Sequence, residues 1–207
     1  MENNLLTPIN GIVCDNLSKS FGQKRVLDSF SYTFPIGQTT VIVGASGCGK
    51  TTLLRIIAGF EAPDSGSVLG VDRGDIAFLF QEDRLLPWLT ALKNVESVIK
   101  QKEKKRLARE ILTALNLGDE KDLSSYPNEL SGGMARRVAI ARTLAYLVAS
   151  ECKVLILDEA LRGLDKDNID NTVQVIKRYS EKKTVISVTH NLSALEKDAQ
   201  ILTLPID

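Results

Sequence analysis

The sequence has few cysteines, and none of them is placed as a structural crosslink would require. Cys14, Cys48 and Cys152 are odd in number and widely spaced, so neither a disulfide framework nor a zinc site is predicted. Free thiols fit a reducing compartment. The first four residues, Met-Glu-Asn-Asn, place no basic segment ahead of an apolar stretch, so a signal peptide is not expected.

Long apolar runs and an excess of one charge sign are also missing. A membrane-spanning helix needs ~20 apolar residues, and the longest candidate, 144–157, is interrupted by Glu151 and Lys153. Lys+Arg and Asp+Glu are equal at 26 each, which gives no general attraction to nucleic acid or to an anionic membrane. No nucleic-acid partner is therefore expected. If the protein functions at a membrane, we expect it to do so from outside the bilayer.

The order of the apolar segments predicts an α/β domain. A chain of 207 residues suits one domain, or a domain with an inserted lobe. β-branched and apolar runs predict strands at 12–13, 26–27, 32–34, 39–43, 76–80, 154–157, 185–188 and 201–204. Helical spacing occurs at 50–58, about 90–147 and 169–179. The simplest arrangement is an α/β core with a helical lobe inserted between Phe80 and Val154.

Residues 44–51 carry a phosphate-binding motif. The segment Gly-Ala-Ser-Gly-Cys-Gly-Lys-Thr matches G-x-x-x-x-G-K-[ST] and lies between a predicted strand and a predicted helix. Its glycines let backbone N–H groups surround an anion, and the following helix adds its positive end. Lys50 is expected to reach the β- and γ-phosphates, and the Thr51 hydroxyl to bind Mg²⁺. Cys48 is interpreted as a small filler. Nucleotide contacts are predicted for Gly44, Ser46, Gly47, Cys48, Gly49, Lys50, Thr51 and Thr52.

Two acidic residues end the apolar run 154–157. A buried strand that ends in carboxylates presents them at the edge of the sheet where α/β proteins bind ligands. Asp158 is suited to hold Mg²⁺ through water, and Glu159 to orient and deprotonate the attacking water. A strand that simply ends in solvent is the alternative, and the phosphate-binding motif upstream favours the catalytic interpretation.

The segment Leu130-Ser131-Gly132-Gly133-Met134, continued by residues 135–142, resembles the signature motif of ABC ATPases. Physically it is a second anion site, because Ser131 is a good N-cap and two glycines expose backbone N–H groups. In isolation it would be read only as a capped helix start. The resemblance implies that Ser131, Gly132 and Gly133 face the γ-phosphate bound by a second copy. It spans about residues 12–204, with the motifs in the family's order.

The resemblance implies roles for four further residues. Gln81 corresponds to the glutamine that senses Mg²⁺ and the attacking water, and His190, the chain's only histidine, to the switch histidine that contacts the γ-phosphate. Phe21 corresponds to the aromatic residue that stacks on adenine. Asp165 falls in the loop that crosses the dimer interface. A lone histidine is more often structural, and an aromatic residue near a turn more often packs, so these alternatives stay open.

The resemblance also implies the fold class. It is an α/β fold: a P-loop NTPase core with a mixed or parallel sheet, an N-terminal antiparallel β-subdomain and an inserted α-helical subdomain. We expect one domain, 1–207, with the core at about 1–81 and 153–207 and the helical subdomain at about 82–152. Three positions depart from the family pattern: Met134 replaces Gln, Ala160 replaces Pro, and Arg162-Gly163 replaces Ser-Ala or Gly-Ala. None of these changes removes an acid, a base or a metal ligand.

Residues 82–88 resemble a segment of importers of the nitrate, sulfonate and taurine group. In that family the region lines a groove that receives a helix of the permease. Leu85, Leu86, Pro87 and Trp88 are therefore predicted to contact a membrane permease, because four apolar residues have little reason to be exposed without a partner. The alternative is that they pack beneath the helical lobe.

Together these patterns predict the ATP-hydrolysing subunit of an ABC transporter. It would act as a homodimer that binds ATP and Mg²⁺ at the cytoplasmic face of the membrane, with a permease and a separate substrate-binding protein as partners. One alternative is an ABC-type ATPase that powers a soluble assembly. The other is a P-loop small-molecule kinase, which would have no use for residues 130–134.

Overall fold

The computed structural model describes residues 11–189 and 199–204, and strands and helices alternate along them. The strands are β1 (Gly11–Phe21), β2 (Lys24–Pro35), β3 (Thr39–Val43), β4 (Ser65–Leu69), β5 (Ile76–Leu79), β6 (Val154–Asp158), β7 (Thr184–Val188) and β8 (Gln200–Thr203). The α-helices are α1 (Lys50–Ile57), α2 (Ala91–Glu96), α3 (Arg106–Ala114), α4 (Glu120–Ser124), α5 (Gly132–Ala149) and α6 (Lys166–Tyr179). Single 3₁₀ turns occur at Arg73–Asp75, Lys102–Lys104 and Pro127–Glu129.

The central sheet has five strands in the order β5-β6-β7-β3-β8, and each neighbouring pair is parallel. Every residue of β6 and β7 is buried, which explains their continuous apolar and β-branched sequences. Consecutive residues such as Val41 and Ile42 pack into different cores because side chains alternate across a sheet. The predicted parallel sheet is confirmed.

Two apolar cores cover the two faces of this sheet. One core joins Ile42, Ile156 and Ile186 to α1 and to Phe34 of β2. The other joins the opposite faces of the same strands to the helices α2, α3, α5 and α6. The sheet is thus the middle layer of the molecule, and its position is fixed from both sides by apolar packing.

The first strands form a separate antiparallel sheet in the order β2-β1-β4. Register shifts interrupt its pairing near Leu17 and Lys19, and such irregularities bend and twist a strand. The predicted N-terminal antiparallel unit is confirmed.

Four helices, α2 to α5, lie between β5 and β6 in sequence, as the inserted lobe requires. In the predicted apolar face of α3, Ile111, Leu112 and Leu115 are fully buried and Leu107 packs partly against the same core. The longest helix, α5, buries residues on most of its circumference, because it lies between the lobe and the central sheet. The proposed limits of the lobe, 82 and 152, stay a prediction.

The parallel order brings the carboxyl ends of β3, β5, β6 and β7 to one edge of the sheet. The loop 44–49 follows β3, Gln81 follows β5, and Asp158 and Glu159 lie at the end of β6. Thr189 follows β7. Four separate segments of the sequence therefore meet at the edge where α/β proteins bind ligands. Among the described residues, no helix combines the length and the apolar character that crossing a bilayer requires.

Candidate functional site

The loop 44–49 has the backbone shape that its glycines predict. Gly49 adopts φ 100°, and a Cβ at this position would lie 2.7 Å from the carbonyl oxygen of Val26. A side chain is therefore excluded both by conformation and by space. Gly49 caps α1, so the backbone N–H groups of the first turn face the mouth of the loop.

Lys50 lies across this loop. Its ammonium donates hydrogen bonds to the carbonyl oxygens of Gly44 at 2.8 Å and Ala45 at 2.7 Å, and its Nζ lies 3.9 Å from the Cys48 sulfur. The residue is buried. A cation held at the mouth of a loop that presents N–H groups is suited to bind phosphate.

Thr51 and Asp158 meet although 107 residues separate them in sequence. The Thr51 hydroxyl donates a hydrogen bond of 3.2 Å to Oδ1 of Asp158. Asp158 is almost fully buried, and this burial raises the pKa of its carboxyl above the ordinary value. The hydrogen bond from Thr51 acts in the opposite direction, and the nearby charge of Glu159 raises the pKa further. A hydroxyl and a carboxylate oxygen side by side are suited to Mg²⁺, which takes oxygen ligands.

Gln81 and Glu159 form the second pair at this edge. Nε2 of Gln81 donates to Oε2 of Glu159 at 3.3 Å, and a guanidinium nitrogen of Arg162 lies 3.7 Å from the same oxygen. Glu159 has φ 49°, which is uncommon for a residue with a side chain. Its N–H donates to the carbonyl of Val188. The backbone is thus held in a conformation that aims the carboxylate at the edge of the sheet.

One cleft of about 400 Å³ collects most of the predicted nucleotide residues. Its lining is Phe21, Lys24, Val26, Ser46, Gly47, Gly49, Lys50, Thr51, Thr52, Gln81 and Glu159. Asp158 lies against it through its bond to Thr51. Gly44 and Cys48 belong to the loop but not to this lining. Cys48 lines an adjoining cleft, which shares Ser46 and Gly47 with the first.

Phe21 is half exposed at one end of the cleft. The Lys19 ammonium lies 5.3 Å from the centre of its ring. An exposed ring that lines the same cleft as the phosphate-binding loop is placed where it could stack on a base.

The signature residues lie elsewhere on the chain. Ser131 is the N-cap of α5, and its hydroxyl accepts a hydrogen bond of 3.2 Å from the N–H of Met134. Ser131 and Gly132 are exposed. Within the described residues, Ser131, Gly132 and Gly133 do not line the cleft that holds the loop 44–49. One copy of the chain thus presents two separate elements that are predicted to bind anions.

Asp165 is the N-cap of α6 and is exposed. Its carboxylate accepts hydrogen bonds from the backbone N–H of Asn168 at 3.0 Å and from the Asn168 side chain at 2.8 Å. These bonds lower the pKa of Asp165. A Cβ added to Gly133 would lie 3.4 Å from the carbonyl of Gly163, so the signature segment and the loop before Asp165 are neighbours.

The departures from the family pattern have local roles. Met134 packs partly against the core of the helical lobe. Ala160 is buried, and its carbonyl accepts a hydrogen bond from Arg136. Arg162 lies beside Glu159. The predicted switch histidine, His190, lies outside the described residues.

The segment 85–88 is divided between the two predicted environments. Leu85 packs partly against the core, while Trp88 is 69% exposed. Beside this segment lies a cleft of about 470 Å³ between β5 and the helical lobe, lined in part by Phe60, Phe80 and Leu86. The rings of Phe60, Phe78 and Phe80 contact one another. Of the residues 85–88, Leu86 lines this cleft, and contact of the segment with a permease stays a prediction.

Two basic residues of the site were missed by sequence reasoning. Lys24 lines the cleft, and its ammonium would be 3.7 Å from a Cβ placed on Gly47. The sequence pattern that could have indicated Lys24 is a basic residue directly after Phe-Gly-Gln. Arg136 does not line the cleft but binds backbone carbonyls of two site segments. Contacts of this kind cannot be recognised in a sequence, because every residue has a backbone carbonyl.

Comparison with known proteins agrees with this geometry. The model of the ABC transporter family matches residues 27–162. Two similar proteins are both named aliphatic sulfonates import ATP-binding protein SsuB. The one from Rhodopseudomonas palustris (strain BisA53) is 41% identical over 198 residues, which cover 90% of this chain and 68% of the relative. The one from Zymomonas mobilis is 42% identical over 190 residues, which cover 88% of this chain and 76% of the relative.

Two solved structures share the fold over nearly the whole chain. A dimeric structure of MJ0796, a bacterial ABC transporter cassette, has a TM-score of 0.82 at 31% identity and covers 93% of this chain and 94% of that one. A dimeric post-hydrolysis state of the same cassette, bound to ADP and Pi, has a TM-score of 0.80 at 30% identity with the same coverage.

Proposed function

Because this chain belongs to the ABC transporter family, as an ATP-hydrolysing subunit, we propose that two copies bind Mg·ATP between them and drive a separate membrane permease. The observation that carries this proposal is the convergence of Lys50, Thr51, Asp158, Gln81 and Glu159 at one cleft. Each residue supplies a group that phosphoryl transfer to water needs.

The cleft residues divide the chemistry among themselves. Lys50 and the N–H groups of the loop bind the β- and γ-phosphates, and Phe21 stacks on the adenine. Thr51, Asp158 and Gln81 would hold Mg²⁺, which when bound would neutralise charge on the phosphates. Glu159 accepts a proton from the attacking water, which Gln81 helps to orient. His190 would contact the γ-phosphate.

The second half of each site comes from the partner copy in this proposal. Ser131, Gly132 and Gly133 lie apart from the loop 44–49 within one chain, and the positive end of α5 follows them. Two copies placed face to face would bring this end onto the γ-phosphate held by the other copy. Asp165 and Arg162 would then lie near the interface. The dimeric cassettes that share the fold support this arrangement.

Turnover by Glu159→Gln tests the catalytic assignment. The amide keeps the size of the side chain and its contact with Gln81 but accepts no proton, so we expect phosphate release to fall at least about 100-fold. Binding of fluorescent ATP should stay within about threefold of the parent. Glu120→Gln, an exposed carboxylate that pairs with Arg109, is the matched control and should hydrolyse normally. Parental turnover by Glu159→Gln would remove Glu159 from this role.

We propose that the groove beside Leu85, Leu86, Pro87 and Trp88 receives a segment of the permease. Its aromatic lining and the exposed indole of Trp88 supply the apolar anchors that stable interfaces use. The relatives are named for import of aliphatic sulfonates, so we propose an importer of that class. A separate binding protein and the permease would select the substrate, and the ATPase would sit at the cytoplasmic face of the membrane.

Co-purification from detergent-solubilised membranes of the source cells tests this partner. A tagged parent should bring down a polytopic membrane protein, and Trp88→Ala should reduce its recovery at least about tenfold, because an aromatic anchor of the proposed interface is lost. ATP turnover of the isolated Trp88→Ala variant should be unchanged. Ile36→Ala, which removes an exposed apolar side chain before β3, is the matched control. Equal recovery with all three proteins would contradict the assignment.

A further inference from the structure

Arg136 is a buried cation at the junction of three segments. It lies in the second turn of α5 and is 3% exposed. Its guanidinium donates to the carbonyls of Phe80 at 2.8 Å and Gln81 at 3.2 Å. The other contacts are the Asp83 carboxylate at 3.1 Å and the carbonyls of Asp158 at 3.0 Å, Glu159 at 2.9 Å and Ala160 at 2.9 Å.

The chemistry of this contact set is specific to arginine. A guanidinium has five N–H donors in a rigid plane and no acceptor. Six oxygens surround it here, so each donor nitrogen has a partner. A buried charge is tolerated only when it is bonded in this way. A lysine ammonium is a single point of charge with three donors and cannot span both segments.

The partners of Arg136 are mostly backbone oxygens of the two segments that carry the water-activating pair. Gln81 and Glu159 contact each other through their side chains at 3.3 Å, and Arg136 binds the backbone carbonyl of each. It also binds the carbonyls on either side of Glu159, whose backbone has the uncommon φ of 49°. The guanidinium therefore sets the separation and the backbone conformation of both residues without touching the cleft.

We infer that Arg136 is a positioning residue for hydrolysis: it holds Gln81 and Glu159 in register with each other and with the signature helix. The inference rests on the roles proposed for Gln81 and Glu159. Ser131 caps the same helix five residues earlier. The helical lobe thus takes part in building the hydrolysis site, which is complete only when lobe and central sheet are in register.

Arg136→Lys tests this inference against the matched variant Arg137→Lys. Arg137 is also buried on α5, but its guanidinium binds the carbonyls of Gly133, Leu115 and Asn116, all within the helical lobe. Each variant loses hydrogen bonds from a guanidinium to backbone carbonyls, so each should have a lower Tm than the parent. Only Arg136→Lys should lower kcat, by about 10- to 100-fold, because small misplacements of reacting groups have effects of this size. The Kd for fluorescent Mg·ATP should stay within about threefold in both.

The outcomes separate positioning from stability. Parental kcat in folded Arg136→Lys overturns the inference, and so does an equal loss of kcat in both variants. Should Arg136→Lys fail to fold, Asp83→Asn replaces it, since it weakens the ion pair at 3.1 Å and leaves the backbone bonds. Asp83→Asn should lower kcat several-fold with an unchanged Kd, and parental kcat would overturn the inference. A parent protein without ATP turnover, or a fully active Glu159→Gln, refutes the proposed function instead.

Discussion

At the residue scale, Asp158 shows a conflict between stability and function. Its carboxylate is buried, and desolvation raises its pKa. A raised pKa means that the folded state binds the proton more tightly than the unfolded state. The contribution of Asp158 to stability therefore falls as the pH rises from the ordinary aspartate value, about 3.9, through the raised pKa. A bound cation would remove this penalty by pairing with the ionised form.

Asp158→Asn should therefore stabilise the nucleotide-free protein at neutral pH. The amide oxygen can still accept from Thr51, and no charge is buried, so we expect the Tm to rise by a few degrees, at about 2–4 °C per kcal/mol for a chain of this size. The gain should shrink as the pH falls and the parental carboxyl becomes protonated. Thermal unfolding of both proteins between about pH 4.5 and 8 measures it.

Asp165→Asn should have the opposite effect on stability at neutral pH. Hydrogen bonds from Asn168 lower the pKa of Asp165, so its ionised form contributes stability that is lost as the pH falls through the lowered pKa. This variant should be less stable than the parent at neutral pH, with the difference vanishing in acid.

For Asp158→Asn, a lower Tm than that of the parent at neutral pH would contradict the account. Added Mg·ATP should raise the Tm of the parent by more than that of Asp158→Asn.

The site residues also show which parts of a site can be predicted from a sequence. Lys50, Thr51 and Asp158 were predicted because their chemistry requires these side chains in local patterns, and the structure brings them together. Arg136 was not predicted, because its contacts are mainly backbone carbonyls that any residue could supply. Arg162 beside Glu159 was equally hidden, since the turn that joins them depends on the φ of Glu159.

At the element scale, α5 combines a structural cap with a proposed binding role. Ser131→Ala removes the hydroxyl that accepts from Met134, and the loss of such a cap costs about 1 kcal/mol. Thr90→Ala removes the same kind of cap from α2, where the hydroxyl accepts from Lys93. We expect similar losses of Tm in both variants. Only Ser131→Ala should lower ATP turnover as well, at least about tenfold, because it removes a donor to the γ-phosphate.

Chemical denaturation and phosphate release, measured on both variants, decide between these roles. Equal turnover in Ser131→Ala and Thr90→Ala would leave Ser131 with its capping role alone. The helix caps of α2 and α5 are of comparable geometry, so the two variants are matched in the loss of the cap itself.

The elements themselves were predictable to different degrees. The strands β3, β6 and β7 followed from β-branched and apolar runs, since they are buried on both faces. The helical lobe was predicted as one pattern at about 90–147, but three short helices and two 3₁₀ turns precede the long helix α5, and the limits of such short elements depend on packing within the lobe. β5 ends at Leu79 rather than at Phe80, where the carbonyl of Phe80 turns to Arg136.

At the scale of the whole molecule, one chain carries both halves of the proposed reaction centre but keeps them apart. The cleft at the edge of the central sheet holds the phosphate loop, and the exposed start of α5 lies outside it. Sequence order alone implied a two-copy arrangement only through the family resemblance. The fold adds a physical reason, because Ser131 and Gly132 are left open to solvent at the positive end of a long helix.

The mass of Glu159→Gln in solution with Mg·ATP tests this central claim most directly. Sedimentation at equal protein concentration should give the monomer mass of 22.7 kDa without nucleotide and twice that value with Mg·ATP. Glu159→Gln combined with Ser131→Ala should shift toward the monomer, since the partner's donor to the γ-phosphate is lost. Glu159→Gln that binds Mg·ATP and stays at 22.7 kDa would contradict a nucleotide shared between two copies.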